Sequence, residues 1–149
     1  MKKSFILFIA FIALNTFGQK NKFGLGIMVG EPTGISAKVW TNNTIAFDAA
    51  AALSLSGNHG ALLLHADFLK HKYQLVKVEK GNLPFYYGLG AKIVMANDPG
   101  IGIRIPLGIS YIFNEEIPLD IFLEIVPVLN LIPSTNFNVD GAIGVRYYF

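Results

Sequence analysis

The chain has 149 residues, room for one domain, and no cysteine, so no disulfide supports it. Its hydrophobic fraction is 52% and its charged fraction only 15%, more apolar surface than a soluble domain of this size readily hides. The formal charge of +2 comes from 12 Lys+Arg against 10 Asp+Glu and vanishes once Lys2 and Lys3 are set aside, which excludes the basic surplus that nucleic acid requires.

Those two lysines open a secretory signal peptide, residues 1–18. Ser4 to Leu14 is almost wholly apolar, and Thr16 and Gly18 are the small residues that precede a cut before Gln19. The apolar run falls short of the roughly 20 residues a spanning helix needs. No cysteine follows it to carry a lipid anchor. The mature domain is then 19–149. It holds no apolar run of helical spanning length, so it can cross a membrane only with strands.

From Phe23 onward the pattern has a period of two. Phe23, Leu25, Ile27 and Val29 alternate with Gly24, Gly26, Met28 and Gly30, and Glu31-Pro32-Thr33-Gly34 has turn chemistry. Ile35, Ala37 and Val39 then oppose Ser36, Lys38 and Trp40. After the turn Thr41–Thr44, Ile45, Phe47, Ala49, Ala51 and Leu53 oppose Ala46, Asp48, Ala50 and Ala52. Ser54 to Gly60 is a loop. The next predicted strand runs from Ala61 to Val78, with Leu63, His65, Asp67 and Leu69 on one face and a more polar far end. Glu79–Asn82 turns the chain. Phe85, Tyr87, Leu89, Ala91 and Ile93 oppose Tyr86, Gly88, Gly90 and Lys92. After Asn97–Gly100, the odd positions from Ile101 to Tyr111 oppose Gly102, Arg104, Pro106, Gly108 and Ser110. Leu119, Ile121, Leu123 and Ile125 oppose Asp120, Phe122 and Glu124. The last run, Phe137 to Phe149, sets Val139, Ile143, Val145 and Tyr147 against Asp140, Ala142, Gly144 and Arg146.

These are eight strands, an even number and the smallest usual count for a bacterial outer-membrane barrel. The fold class expected is all-β, an eight-stranded antiparallel up-and-down transmembrane barrel. One face is apolar throughout; the other mixes Gly, Ala and Ser with charges. A soluble lipocalin-like carrier would turn the apolar face inward, but the second face is too rich in Gly and Ala for a water-facing surface. The apolar face therefore points to lipid, and the lumen collects Lys38, Lys92, Arg104 and Arg146 with Asp48, Asp67, Asp120, Glu124, Asp140 and His65. Buried charges need partners, and a narrow barrel leaves little room for water. The set is expected to pair into a plug; a narrow channel is the alternative. Pro84, Pro106 and Pro127 cannot donate to a ladder, which predicts strand ends or bulges at each.

Little catalytic chemistry is legible. A lipid-modifying enzyme could be built around His65 and Asp67, two apart on one strand, with His59, His71, Ser54, Ser56 or Ser110 as further candidates. No serine converges on them in sequence, and a lumen histidine bonded to a carboxylate accounts for the pair. His71, between Lys70 and Lys72, is expected at the membrane interface. No spacing points to a metal site, and no cofactor is expected.

The terminal stretch Gly144-Val-Arg-Tyr-Tyr-Phe149 resembles the signal by which outer-membrane barrels are recognised for insertion, with Gly144, Tyr147 and Phe149 as its matching residues. Four further segments, Gly30–Ser36, Leu64–Leu69, Leu83–Gly88 and Pro118–Pro127 with the run to Phe149, resemble a family of small, mostly uncharacterised bacterial outer-membrane eight-stranded barrels. The resemblance implies the fold and an outer-membrane location, with both termini in the periplasm and 31–34, 54–60, 96–100 and 131–136 outside. It implies no catalytic residues. The partners expected are outer-membrane lipid and, through the last strand, the barrel-assembly machinery; the chain is expected to be a monomer with a structural or binding role.

Overall fold

Each alternating run forms a strand because only a paired ladder satisfies its backbone while leaving one face apolar. The structure is a computed structural model in which residues 22–55 and 60–149 are described. The expected signal peptide lies outside them, as do Ser56 and His59. The strands are β1 (Phe23–Glu31), β2 (Thr33–Trp40), β3 (Ile45–Leu53), β4 (Leu62–Lys72), β5 (Phe85–Met95), β6 (Gly100–Arg104), β7 (Leu107–Ile112), β8 (Leu119–Ile132) and β9 (Asn136–Tyr148). Apart from β6 and β7, consecutive strands pair antiparallel, and β1 pairs with β9 from Gly24↔Tyr148 to Glu31↔Gly141. That pairing closes the sheet.

β6 and β7 are two halves of one wall strand, since both pair with β5 on one side and β8 on the other. The wall therefore has eight strands. The interruption is chemical. Gly88 N–H bonds the Pro106 carbonyl at 2.9 Å, and Ile105 N–H bonds the Pro127 carbonyl at 3.0 Å. In an antiparallel ladder such pairs exchange two bonds; here each proline returns none. Pro84 lies just before β5, and Pro106 falls in the gap. Pro127, however, is inside β8, opposite Val139, and not at an end or bulge. It is accommodated because its missing donor faces the strand already broken at Pro106.

β4 stops at Lys72, short of the expected Val78. Its neighbours run out there: on one side β3 ends at Ile45↔Lys70 with a last bond from His71 N–H to the Thr44 carbonyl at 2.7 Å, and on the other β5 ends at Lys72↔Phe85. Residues 73–84 form the longest connection, at the same end as 41–44, 113–118 and both ends of the described barrel. The opposite end carries the connections at 32, 54–61, 96–99 and 133–135.

The exposure pattern assigns the faces. Ile27, Ile35, Leu89, Ile103, Leu123, Ile143 and their strand-mates at alternate positions are exposed, while Met28, Lys38, Asp67, Arg104, Phe122 and Arg146 are buried. This is the reverse of a lipocalin-like barrel.

Candidate functional site

The lumen holds the chain's concentration of chemistry-bearing groups. Lys38, Asp48, His65, Asp67, Lys92, Arg104, Asp120, Glu124, Asp140 and Arg146 are all buried on the inward face. Their placement follows from parity, and their pairing from cross-strand register.

Arg146, on β9, is the hub. Its Nε donates to Ser36 Oγ at 2.9 Å, Nη2 to Asp48 Oδ2 at 3.2 Å, and Nη1 lies 3.6 Å from Asp120 Oδ2. The guanidinium also stacks 3.8 Å above the Phe122 ring. Asp120 Oδ2 accepts from the Tyr148 hydroxyl at 2.7 Å and lies 3.8 Å from Lys38 Nζ. Arg104 forms a second centre: Nε donates to Asp67 at 3.0 and 3.2 Å, and Nη2 lies 3.7 Å from Glu124 Oε1. The Tyr86 hydroxyl donates to Glu124 Oε2 at 3.0 Å. Lys92 pairs with Asp140 at 3.3 Å, whose other oxygen accepts from Asn138 Nδ2 at 2.7 Å.

The inward glycines make this density possible. Tyr86 crosses Gly108, its register partner, to reach Glu124; a Cβ on Gly108 would sit 2.4 Å from the Tyr86 ring. Asp67 crosses Gly90 toward Arg104, and a Cβ on Gly90 would meet Asp67 Oδ1 at 1.7 Å. Small residues on one strand thus leave room for long side chains from the next.

One lumen residue was placed elsewhere by the sequence. His71 was expected at the interface; instead it is buried, with Nε2 2.9 Å from Lys38 Nζ and its ring 4.4 Å from Trp40 and 5.2 Å from Tyr86. The signal was available, because His71 shares parity with His65, Asp67 and Leu69. Tyr86 and Tyr148, on the inward-facing parity of their strands, are buried in the lumen as well. Trp40 and Tyr148 line a cavity of about 720 Å³ at the terminal end, together with Asn42, Tyr73, Asn82 and Asn114. Burial pushes the Tyr73 phenol up to about 12, so it remains a neutral donor there. The cavity meets the network at its inner end, where Trp40 contacts His71 and Tyr148 bonds Asp120.

Among the described residues the enzyme candidates do not assemble a nucleophile. His65 Nδ1 lies 3.2 Å from Asp67 Oδ2, and both side chains are enclosed. Among the described residues no hydrogen bond joins a serine to a histidine: Ser36 accepts from Arg146, Ser54 donates to Glu31, and Ser110 Oγ is buried without a hydrogen-bond partner. Asp48, His65 and Asp67 bring ligand-type atoms within 4.8 Å of one another. A cation there would share its carboxylates with Arg146 and Arg104, which already engage them. Gly144, Tyr147 and Phe149 lie on or at the end of the last strand, and the rings of Tyr147 and Phe149 meet edge to face at 5.1 Å.

A family described as "Protein of unknown function (DUF3996)" matches residues 16–148. No curated protein matches the chain. Among solved structures, the N-terminal β-barrel domain of Pseudomonas aeruginosa OprF is similar, with a TM-score of 0.60 and 14% identity over 87% of this chain and 98% of that one. The likeness shows the fold, an outer-membrane-type eight-stranded barrel.

Proposed function

This chain belongs to the DUF3996 family of proteins of unknown function, and we propose that it is an integral outer-membrane barrel with a structural or binding role, closed to ions by its own lumen. In this proposal residues 1–18 direct export and are removed, and the last strand, with Gly144, Tyr147 and Phe149, is presented to the barrel-assembly machinery.

One observation carries the proposal: an apolar outer wall encloses a lumen in which each of the four cations, Lys38, Lys92, Arg104 and Arg146, has at least one carboxylate within 4.0 Å. Apolar residues facing outward on every strand suit hydrocarbon and no other surroundings. Paired charges inside replace the water that a pore would hold. In this proposal the role is structural rather than catalytic: His65 and Asp67, the nearest approach to a reactive pair, are enclosed within the lumen, and among the described residues no serine is hydrogen-bonded to them.

The test has two parts. The protein is expected in the outer-membrane fraction, with different gel mobility before and after boiling, and its insertion into planar bilayers is expected to give no stepwise conductance. Recovery from the soluble periplasm without a mobility shift overturns the membrane assignment. A steady unitary conductance overturns the plug and makes the chain a narrow channel.

A further inference from the structure

Cations are distributed unevenly along the barrel axis. Four fill the lumen. The described ones that remain, Lys22, Lys70, Lys72, Lys77 and Lys80, all lie at the terminal end. The connections at the opposite end carry Glu31 and Asp98 and neither Lys nor Arg.

At the terminal end the basic groups sit on the outside of the wall. Lys70 and Lys72 are exposed and continue the outward face of β4 beyond Phe68. Lys72 Nζ stands 5.7 Å over the Tyr87 ring. The 73–84 connection adds Lys77 and Lys80, one carboxylate, Glu79, and the exposed side chains Leu75 (65%) and Val76 (49%). It is held against the barrel: the Tyr111 hydroxyl donates to the Lys80 carbonyl at 2.8 Å, and Asn82 bridges to Ile112. None of these four lysines makes an ion pair with a described carboxylate, although the shortest tether to Glu79 is one peptide bond from Lys80. Level with them lie outward aromatic pairs on three strands or their ends: Phe85 with Tyr87, which face Lys72 and Lys70 across the ladder, Tyr111 with Phe113, and Tyr147 with Phe149.

Aromatic rings of this kind settle at the level of lipid headgroups. Lysines beside such rings extend their ammonium groups past that level on long flexible stems. Apolar residues beside them favour the interface over free water. We propose that this patch, Lys70 and Lys72 of β4 with Lys77 and Lys80 of the following connection, binds the headgroups of anionic phospholipid in the leaflet on the side of the termini. The inference rests on the outer-membrane assignment above and adds the lipid class and the leaflet. The opposite rim offers such headgroups neither Lys nor Arg, whereas the terminal end sets five described lysines against Glu79, Glu115 and Glu116, so the two ends differ in their cations.

The test uses the full mature chain folded into phosphatidylcholine bilayer discs containing a minor fraction of phosphatidylglycerol. Lipids retained by the protein are identified by native mass spectrometry, and folding is checked by heat-dependent gel mobility. The wild type is expected to retain phosphatidylglycerol at about threefold or more above its share in the bilayer. The enrichment should fall with added salt. K70Q/K72Q/K77Q/K80Q should retain it at its bulk share, and K77Q/K80Q, altered only in the connection after β4, should fall between. A folded wild type that retains phosphatidylglycerol at its bulk share overturns the proposal and leaves the barrel standing, as does undiminished retention by K77Q/K80Q and the quadruple variant. A wild type that neither enters the discs nor shifts on heating overturns the barrel assignment itself.

Discussion

Removing the hub of the lumen network gives the sharpest test of a dry interior. In Arg146→Met the aliphatic stem still covers the Phe122 ring, while the contacts to Ser36, Asp48 and Asp120 are lost. The damage falls unevenly. Asp120 keeps the Tyr148 hydroxyl at 2.7 Å and Lys38 at 3.8 Å. Asp48 keeps no hydrogen bond or ion pair, because its Oδ2 partner was Arg146 and its Oδ1 has no hydrogen-bond partner. Both side chains of the Arg146–Asp48 pair are nearly inaccessible, at 2% and 3%, so solvent screening gives no relief. Orphaning one member of a buried pair costs about 3–5 kcal/mol. Replacing both, as in Asp48→Leu/Arg146→Met, removes the orphan and should restore at least about 2 kcal/mol of that loss. Equilibrium urea unfolding in lipid vesicles, followed by the mobility of unboiled protein, measures both values. A loss below about 1 kcal/mol for Arg146→Met, the value of a solvated pair, would falsify the plug and point to a water-filled lumen.

Three further outcomes are expected. Gly90→Val should displace the Asp67 carboxylate from Arg104 and lower stability by about 2–4 kcal/mol, whereas Gly141→Ala, whose Cβ would have its nearest contact at 3.5 Å, should be tolerated; the same unfolding assay separates them. Tyr86→Phe removes the bond to Glu124 and should cost about 1.5–3 kcal/mol without changing gel mobility, because the ring still fills the space over Gly108. Deleting Phe149 should slow assembly in cells yet cost protein refolded in vitro only about 1 kcal/mol, since the residue is 56% exposed and loses one backbone bond, to the Phe23 carbonyl; equal loss in both settings would remove the insertion-signal role.

The wall was legible in the sequence because a period of two is a local property. Each residue's parity follows from its neighbours, and the outward and inward sets follow from parity. Where the sequence misled, it was by weighing local polarity over parity, as at His71, which two flanking lysines drew toward the interface. The end of β4 was not legible because a strand stops where its partners stop, and those belong to β3 and β5. Pairing inside the lumen was out of reach for the same reason at larger scale. Arg146 and Ser36 are 110 residues apart, and they meet only because β9 closes on β1 in one particular register. Pro127 stands within β8 through an agreement between two strands that neither run displays alone.

That agreement has a mechanical consequence. A closed wall is a hoop, and under tension a hoop yields at its weakest seam. Gly88–Pro106 and Ile105–Pro127 are half-made pairs flanking one strand at successive residues. Thermal breathing of the wall should therefore begin there, and amide protons next to the seam, such as those of Gly88 and Ile105, should exchange sooner than their counterparts in β1 and β9. Arg104 stands directly beside this seam, with its side chain turned inward to Asp67 and Glu124. Where the hoop is thinnest, the lumen itself supplies a brace.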